Sequence, residues 1–238
     1  MDFGGKDKGT YVRETFNSIA KHYDLMNSLM TLGLDKGWRR QVVQRVGAAS
    51  GKRILDVCCG TGQLSLELAR AVGPAGQIIA LDFSENMLQV GREQVKKTPF
   101  AEVINFIQGD ALNLPFNDNS FDGITVGWGL RNLPNLQRGI KEMMRVVRPG
   151  GKVVSLDMAK PDLPVFKQAY WFYFEKLVPL LGSIVAGKES AYRYLHDSAV
   201  QFPAQRELAG IFHECGLTQT RYKNLAGGVV AIVEGTKP

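Results

Sequence analysis

The sequence predicts an α/β chain folded as a doubly wound, mostly parallel seven-stranded sheet, and three observations carry that expectation. The run Arg53-Ile-Leu-Asp-Val-Cys-Cys-Gly-Thr-Gly-Gln63 reads as a buried strand, a glycine turn and the start of a helix. A second strand ends on Asp82, twenty residues beyond Gly62, the spacing at which this architecture sets an acid against a ribose. From Arg53 onward strand and helix patterns alternate, as in a parallel sheet covered on both faces.

In order, the pattern gives a strand at 53–58, a helix at 63–72, a strand at 77–82 and a helix at 84–97 with Ser84 as its N-cap. Strands follow at 103–108 and 121–127, then a helix at 136–147 stopped by Arg148-Pro-Gly-Gly151, which turns into a strand at 152–157. A helix at 204–214 precedes strands at 217–222 and 228–235, two late strands suited to an antiparallel C-terminal edge. Two segments stand outside the alternation and are expected to be helical lids. Residues 11–46 read as two or three helices carrying Tyr23, Asp24, Asn27 and Trp38, and the aromatic stretch 163–186 is too often interrupted to span a bilayer. The chain is read as one domain over 1–238, with a helical cap at 1–50 and a helical insertion at 159–203.

A length of 238 residues with 45% hydrophobic content supports one sizeable core. The formal net charge is +6, with basic groups at Lys36, Arg39, Arg40, Arg45, Lys52 and Arg53 and again at Arg138, Lys141, Arg145, Arg148 and Lys152. Such groups are more often solvated helix faces than nucleic-acid sites, and no RNA-binding module accompanies them. Three cysteines form no disulfide framework or zinc spacing, and no secretory signal is read, so a reduced, cytoplasmic protein without a metal is expected. Cys58 and Cys59 read as small buried residues rather than reactive thiols.

The dinucleotide fingerprint wants a third small residue after Gly60-Thr61-Gly62, where Ser65 stands, and it does not require an acid inside the first strand, where Asp56 stands. A carboxylate at the cradle repels a pyrophosphate but suits a ligand bearing a sulfonium and an ammonium. The spacing of Asp56, Gly60 and Gly62 therefore resembles the first motif of the class I (Rossmann-like) methyltransferases, with S-adenosyl-L-methionine as cofactor and NAD as the weaker alternative.

Four further motifs make the resemblance specific: Phe16-Asn-Ser-Ile-Ala-Lys-His-Tyr-Asp-Leu-Met-Asn27, Gly129-Leu-Arg-Asn132 after the fourth strand, Ser190-Ala-Tyr-Arg-Tyr-Leu195, and Asn224-Leu-Ala-Gly-Gly-Val-Val-Ala-Ile232. In this order they resemble the UbiE/MenG family of quinone-biosynthesis C-methyltransferases over most of the chain. The resemblance implies that Gly60, Thr61 and Gly62, with Asp56, meet the methionine part of the cofactor, that Asp82 accepts the ribose hydroxyls, that Asp110 and Ala111 meet the adenine, and that Tyr23 closes over it. It implies methylation of a ring carbon of a polyprenylated hydroquinone, with demethylmenaquinol the foremost substrate. Arg131 is expected to stabilise a phenolate-like oxygen, Asn132 to orient the hydroxyl or a water, and Trp128, Tyr194 and His196 to bind substrate, with Tyr194, His196 and His22 the candidates for a base. Transient contact with the inner face of the membrane is implied, nucleic acid is not, and a homodimer is compatible. Three other readings stay open: a benzoquinol substrate, a non-catalytic cofactor-binding subunit of a quinone assembly, and RNA methylation. Against many relatives the chain departs at Gln63, where an acid is common, and at Gly127, where a hydroxyl is.

Overall fold

The computed structural model describes residues 3, 5–161 and 189–238. The expected lid at 163–186 lies outside them. Seven strands, β1 (Arg53–Val57), β2 (Gln77–Asp82), β3 (Ile104–Gln108), β4 (Phe121–Gly127), β5 (Val147–Met158), β6 (Thr218–Leu225) and β7 (Val230–Thr236), form one sheet in the order β3-β2-β1-β4-β5-β7-β6. The first five run parallel, and the expected antiparallel edge is the late pair, with β7 set against β5 and β6 outside it. Strand order reverses between β1 and β4, so the crevice at their carboxyl ends is the place where this architecture binds ligands.

Alternation along each strand builds two cores, one on each face of the sheet. Leu55, Val57, Ile79, Leu81, Ile124 and Val126 face α6 (Leu136–Val146) and α8 (Gln205–Glu214). Ile54, Ile78, Ala80, Val154 and Leu156 face α3 (Asp35–Val46) and α4 (Gln63–Val72), with Leu88 of α5 (Glu85–Val95) packed in the same cluster. Ser84 is the N-cap of α5, its hydroxyl accepting from the Met87 amide at 3.2 Å. Gly62 stands left-handed (φ 79°) before α4, and a Cβ there would lie 2.8 Å from the Phe106 ring. A Cβ on Gly91 of α5 would lie 2.7 Å from the same ring and 3.0 Å from the Thr61 carbonyl. Phe106 thus wedges the turn, α5 and β3 together.

The turn expected at 148–151 is present, but inside β5 rather than before it. The partner of β4 steps from Val147 to Lys152 between Phe121 and Gly123, and the intervening residues bulge out with Gly150 left-handed. Helix α6 therefore ends at Val146, and Val147 already pairs with Phe121.

A third cluster forms the cap over the carboxyl ends of the strands. Val12, Phe16 and Ile19 of α1 (Lys8–Ile19) and Met26 of α2 (Tyr23–Met30) pack with Met87 and with Tyr194, Leu195 and Ala199 of α7 (Glu189–Gln201). Polar ties fix its position. The Lys8 ammonium donates to the carbonyls of Arg131 and Leu133, and the Ser84 hydroxyl donates to Asn17. Much of the basic excess is paired within the chain: Arg45 and Arg221 reach Glu234, Lys52 and Arg148 reach Asp122, and Arg145 reaches Glu142 and Asp118.

Candidate active site

Two residues at the strand ends adopt a backbone conformation that their side chains disfavour. Cys58 after β1 and Trp128 after β4 are left-handed, with φ of 55° and 60°. For a bulky residue this costs of order 1–3 kcal/mol and persists only where the surroundings impose it. Here the restraints are visible: the Trp128 amide donates to the Leu156 carbonyl at 2.7 Å, and the Asn132 amide group donates to the Trp128 carbonyl at 3.1 Å. Gly129 must be glycine, since a Cβ would come within 2.5 Å of Cys58 Cβ. Cys58 and Trp128 together form the floor of a crevice.

On that floor lies a cavity of about 370 Å³, roofed by Thr10, Arg13 and Phe16 of the cap. Asp82, Phe83, Met87, Asp110, Ala111 and Leu112 line one end, and Gly60, Cys58 and Gly127 the other. Asp82 is 5% exposed; one carboxylate oxygen accepts from the Gly60 amide at 2.8 Å and the other from the Ser84 amide at 2.9 Å. Each oxygen keeps a further lone pair, so the carboxylate is held rigidly with capacity for two hydroxyl donors. Asp110 turns an Asx motif, accepting from the Leu112 amide at 2.8 Å, and leaves Ala111 buried against the cavity. The Tyr23 ring lies over the glycine turn, 3.9 Å from where a Cβ on Gly60 would stand, and a side chain at 60 would enter the cavity.

The cap is clasped to the same turn. Asp24 accepts from the Thr61 hydroxyl at 2.6 Å and from the amides of Gln63 and Gln94 at 3.1 and 3.0 Å. The neutral Gln63 is therefore matched to Asp24, beside which an acid at 63 would be repelled. At Gly127 a Cβ would sit 3.4 Å from Leu64, ordinary contact, so the hydroxyl-bearing side chain of many relatives would fit.

A smaller cavity of about 90 Å³ adjoins the first, sharing Tyr23, Cys58, Gly60, Gly127 and Trp128. Asp56 lines it, fully buried, yet its two oxygens already accept from Ser65 at 2.6 Å and Thr125 at 2.8 Å. With a donor already on each oxygen and the side chain fully buried, what it presents to the cavity is chiefly its charge. Ser65, the residue that broke the dinucleotide fingerprint, is its partner. A third cavity of about 200 Å³ is largely apolar, lined by Met30, Trp38, Met158, Leu195 and Val230 together with Arg131. Trp128 borders all three cavities, and Asn27 and Asp35 border the second and third.

Arg131 is 7% exposed and ion-paired with Asp157; burial works against its charge, but Asp157 beside it prevails and raises its pKa. Its Nε is buried without a hydrogen-bond partner. Asn132 lines the first cavity, and its side chain bridges the Trp128 carbonyl and the Tyr194 hydroxyl, which donates at 3.1 Å. Tyr194 is buried, which pushes its pKa up to about 12, and it backs Asn132 rather than lining a described cavity. His196 pairs with Asp197 and lines none of the described cavities, and His22 is exposed on the cap. None of the three candidate bases therefore lies where the cavities meet. Burial raises the thiols of Cys58 and Cys59 well above the usual range, with Asp82 and Asp56 adding to it, so they remain neutral.

The profile of the ubiE/COQ5 methyltransferase family matches residues 5–237. The chain belongs to this family. It is 67% identical, over its full length and 94% of the relative, to a protein of Desulfitobacterium hafniense named demethylmenaquinone methyltransferase. It is 44% identical to a protein of Shouchella clausii with the same name, over 98% of this chain and 99% of that one. Among solved structures, a SAM-dependent methyltransferase of Thermotoga maritima superposes with a TM-score of 0.69 at 18% identity, covering 95% and 100% of the two chains. The [4+2]-cyclase SpnF does so with 0.65 at 18%, covering 97% of each. These last two likenesses establish the fold alone.

For this ubiE/COQ5 family member the cofactor is S-adenosylmethionine, and the residues present fit it. Asp82 has lone pairs for a diol, and Gly60 leaves room that a Cβ would fill. The buried acids give a pH signature. Burial pushes both Asp56 and Asp82 up to about 6, against their hydrogen bonds. Between about pH 4, where the unfolded carboxyls titrate, and about pH 6, the native state binds more protons than the unfolded chain. Stability of the ligand-free protein should therefore fall as pH rises through that window, all else equal. Affinity for the cationic cofactor should do the reverse and weaken as pH falls from 7.5 to 5.5. Titration calorimetry across that range checks it, and a flat profile would remove the two carboxylates from cofactor recognition.

Proposed function

We propose that this methyltransferase carries a methyl group from S-adenosylmethionine to a ring carbon of demethylmenaquinol, giving menaquinol at the last step of menaquinone biosynthesis. The single observation that carries the reading is full-length identity of 67% to a relative named for that activity. The arrangement of the cavities supports it, because among the described residues the apolar cavity shares Trp128 with the larger cavity on the turn and Asn27, Asp35 and Trp128 with the smaller one, so a methyl donor on the turn faces it across that junction.

When bound, S-adenosylmethionine supplies an electrophilic methyl group on a sulfonium. Asp82, Asp110 and Ala111 hold the adenosine end, and the 60–62 turn, roofed by Tyr23, directs the other end toward Trp128. Met30, Trp38, Met158 and Val230 exclude water around an aromatic ring. Arg131, fixed by Asp157, presents positive charge to a ring oxygen and stabilises the phenolate-like charge left there as its proton departs. Asn132 fixes Trp128 and so the wall against which ring and methyl group align. Alignment of two bound reactants is worth roughly 7–11 kcal/mol, more than a positioned base at about 10²–10⁴-fold, so positioning dominates.

The test is anaerobic incubation with labelled S-adenosylmethionine and either reduced demethylmenaquinone, its oxidised form, or a prenylated benzoquinol. Label should enter only reduced substrates, and the naphthoquinol first. No transfer to any of them favours a cofactor-binding subunit, and preference for the benzoquinol favours the other quinone pathway.

Contact with a membrane surface is supported by α2 and the turn that joins it to α3. Leu25, Leu29, Leu32 and Leu34 are exposed there, Leu32 to 86%, and Met30 and Thr31 of the same segment line the apolar cavity. Among the described residues no helix is long and apolar enough to cross a membrane. Lys36 and Arg40, on the following helix, suit an anionic surface. Leu32→Ser with Leu34→Ser should reduce co-sedimentation with anionic vesicles while leaving cofactor affinity intact; unchanged sedimentation would remove this segment from the contact.

A further inference from the structure

Asp35 opens helix α3 and is 2% exposed. One of its oxygens is held by Arg39, one turn on, at 2.8 Å. The other, Oδ1, is buried with no hydrogen-bond partner. A buried acceptor left open costs free energy, and a carboxylate oxygen costs more than a neutral one. Its position gives the reason. Asp35 borders both the small cavity against the glycine turn and the apolar cavity, in company with Asn27 and Trp128. The other ionised side chain of the apolar cavity is Arg131, so a ring placed there meets a fixed cation and an open anionic acceptor.

We propose that Asp35 is the catalytic base: its Oδ1 accepts the hydrogen bond of one ring hydroxyl of the hydroquinol and takes that proton as the neighbouring ring carbon acquires the methyl group. The inference rests on the proposed methylation of demethylmenaquinol and supplies the group missing from it. As the ring carbon gives up an electron pair, the hydroxyl becomes a far stronger acid than a phenol, so a carboxylate suffices and prior ionisation is not needed. The O–H bond breaks, its electron pair stays on the oxygen, and the proton passes to Oδ1. The methylated carbon then loses its own hydrogen as a proton to water, its electron pair restores aromaticity, and Oδ1 returns its proton to the ring oxygen. One proton is released overall, as transfer from a sulfonium to a neutral quinol requires. Arg39 and the N-terminal end of α3 hold the carboxylate in place.

Asp35→Asn keeps the shape but cannot take the proton, and Asp35→Asn with Arg39→Gln removes the buried cation left behind should the single variant fold poorly. Three quantities are read in each: turnover of demethylmenaquinol, calorimetric affinity for S-adenosylmethionine, and, without cofactor, the affinity of a prenylated 1-naphthol relative to its methyl ether. Turnover should fall on the order of 10²- to 10⁴-fold while cofactor affinity holds. In the wild-type protein the naphthol should bind on the order of tenfold or more tighter than the ether, and this advantage should shrink in the variants, whose acceptor is neutral. Retained turnover, or an undiminished naphthol advantage, overturns the inference. So does a loss of cofactor affinity with the naphthol advantage intact, which would place Oδ1 on the cofactor's side. If wild-type protein fails to methylate demethylmenaquinol yet shows an Asp35-dependent naphthol advantage, the substrate reading has failed and the hydroxyl contact has not.

Discussion

Asp82→Asn should weaken S-adenosylmethionine binding by about 10²- to 10⁴-fold, since hydrogen bonds to a charged group are worth about 1.5–3 kcal/mol each and the carboxylate is shaped to receive two. The loss has two sources. One is direct: an amide presents a single carbonyl oxygen to a diol that expects two acceptors. The other runs through the turn, because Asp82 also accepts from the amides of Gly60 and Ser84, and an Asn must point an N–H at one of them. The turn that positions Gly60 and the N-cap that starts α5 are thus tied to the same side chain. Calorimetry gives the affinity, and thermal unfolding without ligand separates the sources. If Asp82→Asn melts like the wild type and binds as tightly, Asp82 does not hold the ribose.

Arg131→Ala should be the most destabilising single change in the site, costing about 3–5 kcal/mol, because it strands the buried Asp157 carboxylate without its cation. Asp157 retains only the Met158 amide, at 2.8 Å, and a distant contact to the amide of residue 131. Removing both charges in Arg131→Ala with Asp157→Ala should recover much of that stability, since replacement of a whole buried pair is often close to neutral. Turnover should not recover with it. A guanidinium that stabilises a reacting oxygen is lost in both variants, and kcat should fall further than cofactor affinity in each. Normal turnover in the double variant would reduce Arg131 to a structural role.

The strand, turn and helix that line the first cavity were legible in the sequence because their signals are local. Strand, glycine turn, helix and the acid at the end of the next strand follow one another between Arg53 and Asp82, and each carries its own signal in residue type and spacing. Asp110 and Ala111 needed the family resemblance, since Gly109-Asp110 alone reads as any turn. What the spacing could not show is which carboxylates were already occupied. Asp56 drew attention as a lone acid in a buried strand, yet Ser65 and Thr125 each already hold one of its oxygens, and Thr125 lies on a strand brought alongside only by the sheet. The converse holds for Asp35. In sequence it is an acid at a helix start with an arginine four residues on, the pattern of an ordinary surface pair. Only burial beneath α2 and beside Trp128 turns its second oxygen into an unmet acceptor. The left-handed Trp128 was equally hidden, because its strain is set by Leu156 and Asn132 rather than by its neighbours in the chain.

The most direct test of the account is a crystal structure of the protein with S-adenosylhomocysteine and a prenylated 1-naphthol bound together. The ribose should lie on Asp82, the thioether sulfur should face the junction of Asn27, Asp35 and Trp128, and the naphthol ring should fill the apolar cavity with its hydroxyl on Asp35 Oδ1. A sulfur turned away from that junction, or a ring bound outside the cavity lined by Trp38, Arg131 and Val230, would contradict it.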